Sequence, residues 1–277
     1  MSSTSLIIKD WAAWTPSIHS AEQWQQWARG QEPAQSDGTP DISAIPPMLR
    51  RRLSSLGKMA LSVAFPLLPN SEDKLPCVFS SRHGELERTV GLLQTLAKHE
   101  PLSPMHFSLS VHNAIGGVMA IARKDPSSIT ALAGDLGSTF LEAAAIMDEQ
   151  SSPEILCIIY DEPVPSIYAV QAQTEQGPGP QEAYAIAFLL GGTNTALRED
   201  GFSQNPESGH QLTLSICESP TSDSPLQTPS NKSDEPQALT FLKYLLTPDT
   251  SELILPGDRH AWHWVKTASG INASAAQ

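Results

Sequence analysis

The run Ile155-Leu156-Cys157-Ile158-Ile159-Tyr160 constrains the fold more than any other segment. It is bounded by Pro153 on one side and by the turn Pro163 to Pro165 on the other, so it reads as a central strand buried on both faces. A strand of that kind needs a covering layer on each side. A second apolar run, Ala183 to Leu190, follows the loop Gly177-Pro178-Gly179-Pro180. His210 to Cys217 gives a third strand through the alternation of Leu212, Leu214 and Ile216. Segments with helical spacing fill the intervals, and the alternation of the two element types defines an α/β layered fold.

The chain opens with a short strand at Leu6-Ile7-Ile8, broken at Thr15-Pro16. Ser20 and Gln23 have the spacing of a capping box and predict a helix from Ala21 to Arg29, with Trp24 and Trp27 on one face. Residues 30–46 are rich in Gln, Pro, Asp, Ser and Gly and read as a surface loop. Leu49, Leu53, Leu56, Met59, Ala60, Val63 and Ala64 then recur at helical spacing and predict one helix from Met48 to Leu68. A strand is expected at Pro76 to Ser81, a helix at Glu85 to Lys98, and a helix rich in small residues at Ser108 to Ala122. Ser128 to Ala133 reads as a short strand that turns through Gly134-Asp135-Leu136-Gly137 into a helix from Ser138 to about Glu149. Strand, tight turn and helix N-terminus is a geometry that presents a reactive side chain in many folds. A helix is expected at Ala238 to Leu246. Residues 218–236 should be mobile and the tail 268–277 should fray. One domain over 1–277 is the simplest organisation for 277 residues.

A net charge of -13 repels phosphates, which excludes a general electrostatic nucleic-acid site. The triplet Arg50, Arg51 and Arg52 reads as a solvated or partner-facing edge. No basic start with a long apolar segment and no 18-residue apolar run occurs, so the expectation is a cytoplasmic protein without a membrane span. Cys77, Cys157 and Cys217 are far apart, lack any C-x-x-C spacing and sit in or beside strand-like runs, where a thiol behaves as a small hydrophobe.

No active site can be assembled from residue chemistry alone. Gly191-Gly192 lacks the remaining glycines of a dinucleotide fingerprint and reads as a turn. Ser81 and His83, in Ser81-Arg82-His83-Gly84, could serve acyl chemistry, but no orienting carboxylate is specified and a polar loop is the plainer reading. His112-Asn113, and His260 with His263 between tryptophans, supply no third metal ligand at a recognised spacing. Glu85, Glu87, Asp135 and Glu142 stand near expected helix starts, where carboxylates complement the dipole. No metal and no cofactor is expected.

Taken in order, the landmarks resemble the N-terminal half of a β-ketoacyl synthase, a condensing enzyme of the thiolase fold. Leu6 to Gly30 resembles the family's opening strand, Thr-Pro turn and Trp-bearing helix ending in Gly. Pro47 to Ala60 resembles its Arg-rich helix leading into an alanine-rich one, and Cys77 to Glu85 its strand followed by a Gly-containing loop. Ser103-Pro104 and the helix beginning near Val111-His112-Asn113 resemble the segment before the nucleophile. Pro126-Ser127-Ser128-Ile129 resembles the strand that delivers the catalytic cysteine. Here the chain carries Ala133-Gly134-Asp135: an ungapped match puts Gly134 at the nucleophile, a one-residue shift puts Asp135 there, and neither is a thiol. The histidine and lysine motifs of the family's second half have no counterpart.

Phe107 to Asn113, the Ala-Gly-Asp turn and the terminal Trp-His-Trp resemble, more narrowly, the short ketosynthase-like proteins of aryl-polyene clusters. The resemblance covers Leu6 to Leu190, with a weaker echo near the C-terminus. It implies a thiolase-like α/β fold, the N-terminal half of a ketosynthase with a truncated, loop-rich C-terminal part. It further implies a non-catalytic, chain-length-factor-like subunit in a heterodimer with an active ketosynthase, serving type II fatty-acid or polyketide synthesis and meeting acyl carrier protein only indirectly. The helix Ala114 to Ala122 and the strand Ser128 to Ala133 would lie near that interface. Two alternatives stay open: an acyltransferase or hydrolase using Ser81 and His83 or an Asp135 nucleophile, and a scaffold that binds acyl carrier protein, with Arg50 to Arg52 the place to look.

Overall fold

The computed structural model describes residues 3–18, 20–32, 38–68, 74–150, 152–168, 180, 182–192, 210–218, 235–257 and 260–267. The loop expected over 30–46 is described only in part, and most of the Ser/Pro-rich stretch at 218–236 and the tail 268–277 lie outside the described residues.

The strands are β1 (Ser3–Trp14), β2 (Cys77–Ser80), β3 (Ile129–Leu132), β4 (Glu154–Asp161), β5 (Tyr184–Gly192), β6 (His210–Cys217), β7 (Glu252–Pro256) and β8 (Ala261–Thr267). They form one eight-stranded sheet in the order β3-β2-β4-β5-β1-β6-β8-β7. β2 runs parallel to β3 and β4, and every other pairing is antiparallel. The run that opened the sequence reading is β4, buried at every position from Ile155 to Asp161. Its period of two splits the core. Ile155, Cys157 and Ile159 join one apolar cluster with Ile186, Phe188 and Leu190 of β5, while Leu156, Ile158 and Tyr160 join the other with Ala185, Ala187 and Leu189.

The helices are α1 (Ala21–Ala28), α2 (Pro47–Arg50), α3 (Ser55–Ala64), α4 (Leu86–Ala97), α5 (Pro104–Ser108), α6 (Ala114–Arg123), α7 (Leu136–Glu149) and α8 (Gln237–Leu246). α7 and α8 cover the first face, where Phe140, Phe188, Phe241 and Trp264 meet edge to face or tilted at centroid distances of 4.7 to 5.5 Å. α3 and α6 cover the second, and Ala185 and Ala187 let α3 lie close to the sheet. The capping box at the start of α1 is formed as the spacing predicts, and Trp24 donates its indole N–H to the Ala13 carbonyl.

Four expectations need correction. The opening strand is twelve residues long, not three, because it pairs with both β5 and β6 and absorbs one extra residue, Lys9, between Ile8 and Asp10. The Lys9 ammonium lies 2.8 Å from Glu154 in a nearly buried ion pair. The single helix expected from Met48 to Leu68 is two, because Ser54 turns extended and its hydroxyl accepts the Gly57 N–H as the cap of α3. The helix expected from Ser108 to Ala122 is also two: α5 closes at Ser108, the Ser110 hydroxyl donates to the Phe107 carbonyl, and α6 starts afresh at Ala114. Gly191 and Gly192 are not a turn but the last residues of β5, where Gly191 faces Ile7 and Glu154 and makes room for the Lys9 side chain.

Candidate functional site

Two strand ends carry the polar groups that the sequence singled out, and they lie side by side because β2 and β3 are parallel neighbours. The first is the elbow between β3 and α7. Asp135 has extended backbone (φ -83°, ψ 175°) and is the residue immediately before α7. One carboxylate oxygen accepts the Ser138 N–H at 2.8 Å, which is a helix cap. The other accepts the indole N–H of Trp262 at 2.8 Å, from β8, 127 residues further along the chain. The Trp262 ring lies on Gly137: a Cβ there would stand 2.1 Å from the indole. Beneath the turn, the Thr139 hydroxyl sits 2.8 Å from both Ser80 Oγ and the Asp135 carbonyl. The apex, Ala133 and Gly134, is exposed.

Both candidate nucleophile positions are thereby placed. Gly134 has no side chain, and Asp135 spends both oxygens on the cap and the indole. The three cysteines are elsewhere, with Cys77 and Cys157 buried and Cys217 half-buried. Burial pushes the Cys77 thiol up to about 12 and holds Cys157 and Cys217 above the usual thiol range as well.

The second strand end is Ser81-Arg82-His83-Gly84 after β2. The sequence specified no carboxylate for Ser81 and His83; the structure supplies one from the end of β4. Asp161 is buried, accepts the Ser81 hydroxyl at 2.7 Å and collects the backbone N–H groups of Arg82 and His83 at 3.0 to 3.2 Å. Burial raises its carboxyl, and those hydrogen bonds pull it back down. Ser81 is 1% exposed and its oxygen also accepts the Gly84 N–H at 2.8 Å, so neither substrate nor a base reaches it. His83 makes no hydrogen bond to Ser81, and its buried Nε2 has no partner among the described residues. Gly84 is left-handed (φ +57°) and rests on the His112 ring, where a Cβ would approach Nδ1 to 2.6 Å. His112 in turn donates from Nε2 to the Leu132 carbonyl at 2.6 Å. The arrangement is a turn held by a buried carboxylate and lacks the serine–histidine contact of a nucleophilic triad.

The remaining candidates are structural. His260 packs edge-on against Trp262 at 4.4 Å, and His263 faces Glu252 at 3.1 Å. No group of three potential metal ligands gathers among the described residues. Glu85 accepts the Ser54 hydroxyl at 2.6 Å and Arg88 at 2.9 Å, joining α3 to α4. Arg50 donates to the Ile45 and Ser43 carbonyls. Arg51 and Arg52 line an open groove of about 680 Å³ with Glu87, Arg88, His106 and Glu162. Burial and the neighbouring Glu85, Glu87 and Asp161 push Glu162 up to about 7. Among the described residues no helix is long and apolar enough to cross a membrane.

The sequence missed Asp161 and Trp262. Asp161 had a faint signal, a charged residue directly after six apolar ones. Trp262 had another: Ala261-Trp262-His263-Trp264-Val265 alternates with the period of a strand.

The mixed sheet with helices on both faces is a thiolase-like layered fold, the class shared by the condensing enzymes. The sequence matches the beta-ketoacyl synthase N-terminal domain over residues 24–265, and the chain belongs to that family. No curated protein matches it. Among solved structures it is similar to a chain of the ketosynthase (ApeO) in complex with its chain length factor (ApeC) from Xenorhabdus doucetiae. The identity there is 26%, over 94% of this chain and 99% of that one, with a TM-score of 0.72. The fold is also shared with the ishigamide ketosynthase/chain length factor (18% identity, TM-score 0.54, 70% of this chain and 64% of that one). A third structure, AntDE:AntF, a type II acyl-carrier protein in complex with its ketosynthase, has 12% identity, a TM-score of 0.66, and coverage of 97% and 100%.

Proposed function

We propose that the chain is a non-catalytic, chain-length-factor-like subunit that pairs with an active ketosynthase in type II polyketide or fatty-acid synthesis of the aryl-polyene kind, acting in the cytoplasm. The observation that carries the reading is the elbow: where the family delivers a cysteine, this chain has Gly134 and an Asp135 whose oxygens are both engaged. A condensing enzyme needs a nucleophile to hold the acyl group and donors for the developing oxyanion, and the elbow presents no free nucleophile. The rival use of Ser81 and His83 is disfavoured by the burial of Ser81 and the direction of its hydroxyl.

The pairing surface in this reading is the β3 edge of the sheet with α6 beside it and the segment that precedes α6. Among the described residues β3 has a partner on one side only, and all four of its residues are half-exposed. An open edge invites pairing with another chain. Phe107 (61% exposed), Val111 and Ile121 (63%) add apolar side chains on the adjoining segments. The small residues of α6 divide between two tasks. Gly116 lets α6 touch Ile129 and Phe79, where a Cβ would come within 2.6 Å, while Gly117 faces open space. Acyl carrier protein is met through the partner.

Co-expression with an active ketosynthase of the aryl-polyene type tests the reading. One co-eluting heterodimer is expected, with loss of co-elution for Ile121→Glu and Phe107→Asp at unchanged melting temperature. Separate elution of the two wild-type proteins, or covalent acylation of this chain by an acyl thioester, sinks it.

A further inference from the structure

Asp135 and Trp262 form a contact that ordinary helix capping does not require. The cap needs one carboxylate oxygen, which Ser138 uses. The second is taken by an indole that arrives from the other end of the chain, on a strand three places beyond β5 in the sheet. Trp262 is 2% exposed and covers Gly137 so closely that a methyl group could not be inserted. Gly257, at the β7–β8 turn, closes the same contact: a Cβ there would stand 2.9 Å from the indole nitrogen and 3.2 Å from the Asp135 carboxylate. Two glycines therefore accommodate one tryptophan directly on the first turn of α7. That first turn is where free N–H groups and the positive end of the helix would otherwise favour an anion or a thiolate.

We infer that Trp262 is a built-in plug: its ring occupies the space above the N-terminus of α7, and its N–H together with the cap ties up the residue at position 135. The inference rests on the reading of the chain as catalytically silent and deepens it. At position 135 silence is then held by two devices, a missing thiol and a ring packed against the turn, and restoring the thiol at that position alone does not restore reactivity. The exposed apex at Ala133-Gly134 remains outside the plug.

The test is thiol reactivity in the full chain carrying Cys217→Ser, since Cys77 and Cys157 are buried. Asp135→Cys is compared with Asp135→Cys/Trp262→Ala by the second-order rate of iodoacetamide labelling, followed by intact mass. The plug predicts labelling at least about tenfold faster once the ring is removed, because a helix N-terminal thiol is then both accessible and acidified. Trp262→Phe, which keeps a ring over Gly137, is expected to stay slow. Equal rates for the Asp135→Cys single variant and the Asp135→Cys/Trp262→Ala double variant overturn the inference. If the double variant does not fold, Gly134→Cys serves instead. That position has room for a side chain, and its thiol should label at least about tenfold faster than that of Asp135→Cys, with equal rates again overturning the plug. Acylation of the unmodified chain by an acyl thioester is the separate control; it would sink the silent-subunit reading without bearing on the plug.

Discussion

Asp135 and Asp161 stand at the ends of two strands of the same sheet, and each gathers hydrogen bonds that close a turn. They differ in how those bonds are drawn. Asp135 caps its own helix, three residues away, and adds one remote donor, Trp262. Asp161 is buried and holds a turn 78 to 80 residues earlier in the chain, through one hydroxyl and two backbone N–H groups. The first carboxylate has a local task that survives loss of its remote partner; the second has none. The fold is therefore anchored at Asp161, whereas the elbow at Asp135 keeps its local cap when the remote partner is lost.

The largest expected effect is at the anchor. Asp161→Ala leaves the Ser81 hydroxyl and the N–H groups of Arg82 and His83 without their acceptor in a turn that is buried at Ser81 and partly buried at the two N–H groups. Unsatisfied buried donors of this kind cost about 1–3 kcal/mol each, so a loss of at least about 3 kcal/mol in a denaturant melt is expected. A melt within about 1 kcal/mol of the parent would show that water replaces the carboxylate there and would break the contrast with Asp135.

Gly137→Ala comes next. The added methyl must displace the Trp262 ring from 2.1 Å, and overpacking of that size costs about 1–3 kcal/mol. Trp262 fluorescence should shift with the loss of stability. Asp135→Asn keeps an oxygen for the Ser138 cap and is expected to cost roughly 1 kcal/mol, while Asp135→Ala loses cap and indole acceptor together and should cost about 2 kcal/mol. Equal losses for the two would mean that the cap contributes nothing.

The same contrast explains what could be read beforehand. The burial of β4 and β5 on both faces and the capping box of α1 follow from local composition, as does the spacing that puts a carboxylate before α7, and the structure reproduces them. The break at Arg51 to Ser54 was invisible because Leu49, Leu53 and Leu56 keep helical spacing across it; Ser54 wins through a cap that apolar periodicity does not register. β7 and β8 were missed because five to seven residues flanked by Pro and Gly give a weak pattern, although Trp262 and Trp264 do alternate. Asp161 with Ser81, and Asp135 with Trp262, are tertiary pairs across 80 and 127 residues, and no spacing rule reaches that far. That Ala133-Gly134-Asp135 carries no thiol was legible in the residues themselves; the packing of Trp262 against Asp135 and Gly137 was not.

The smallest effect separates the anchor from its surroundings by pH. Glu162, next to Asp161, is pushed up to about 7 by burial and by Glu85, Glu87 and Asp161, while an unfolded glutamate titrates near 4.5. The folded state thus holds the proton more tightly, so this group's contribution is fully present below about pH 4.5 and is lost as pH rises toward 7. Asp161, also raised, acts in the same direction. Because Glu162 keeps part of its surface in the solvated groove, the full shift overstates its effect, and a change on the order of 1 kcal/mol between pH 5 and pH 7.5 is expected. Glu162→Gln should flatten that slope and leave the chain more stable than the parent at pH 7.5, by urea melts at both pH values. An unchanged slope would place the pH sensitivity at Asp161 alone and make the anchor, not the groove beside it, the group that titrates.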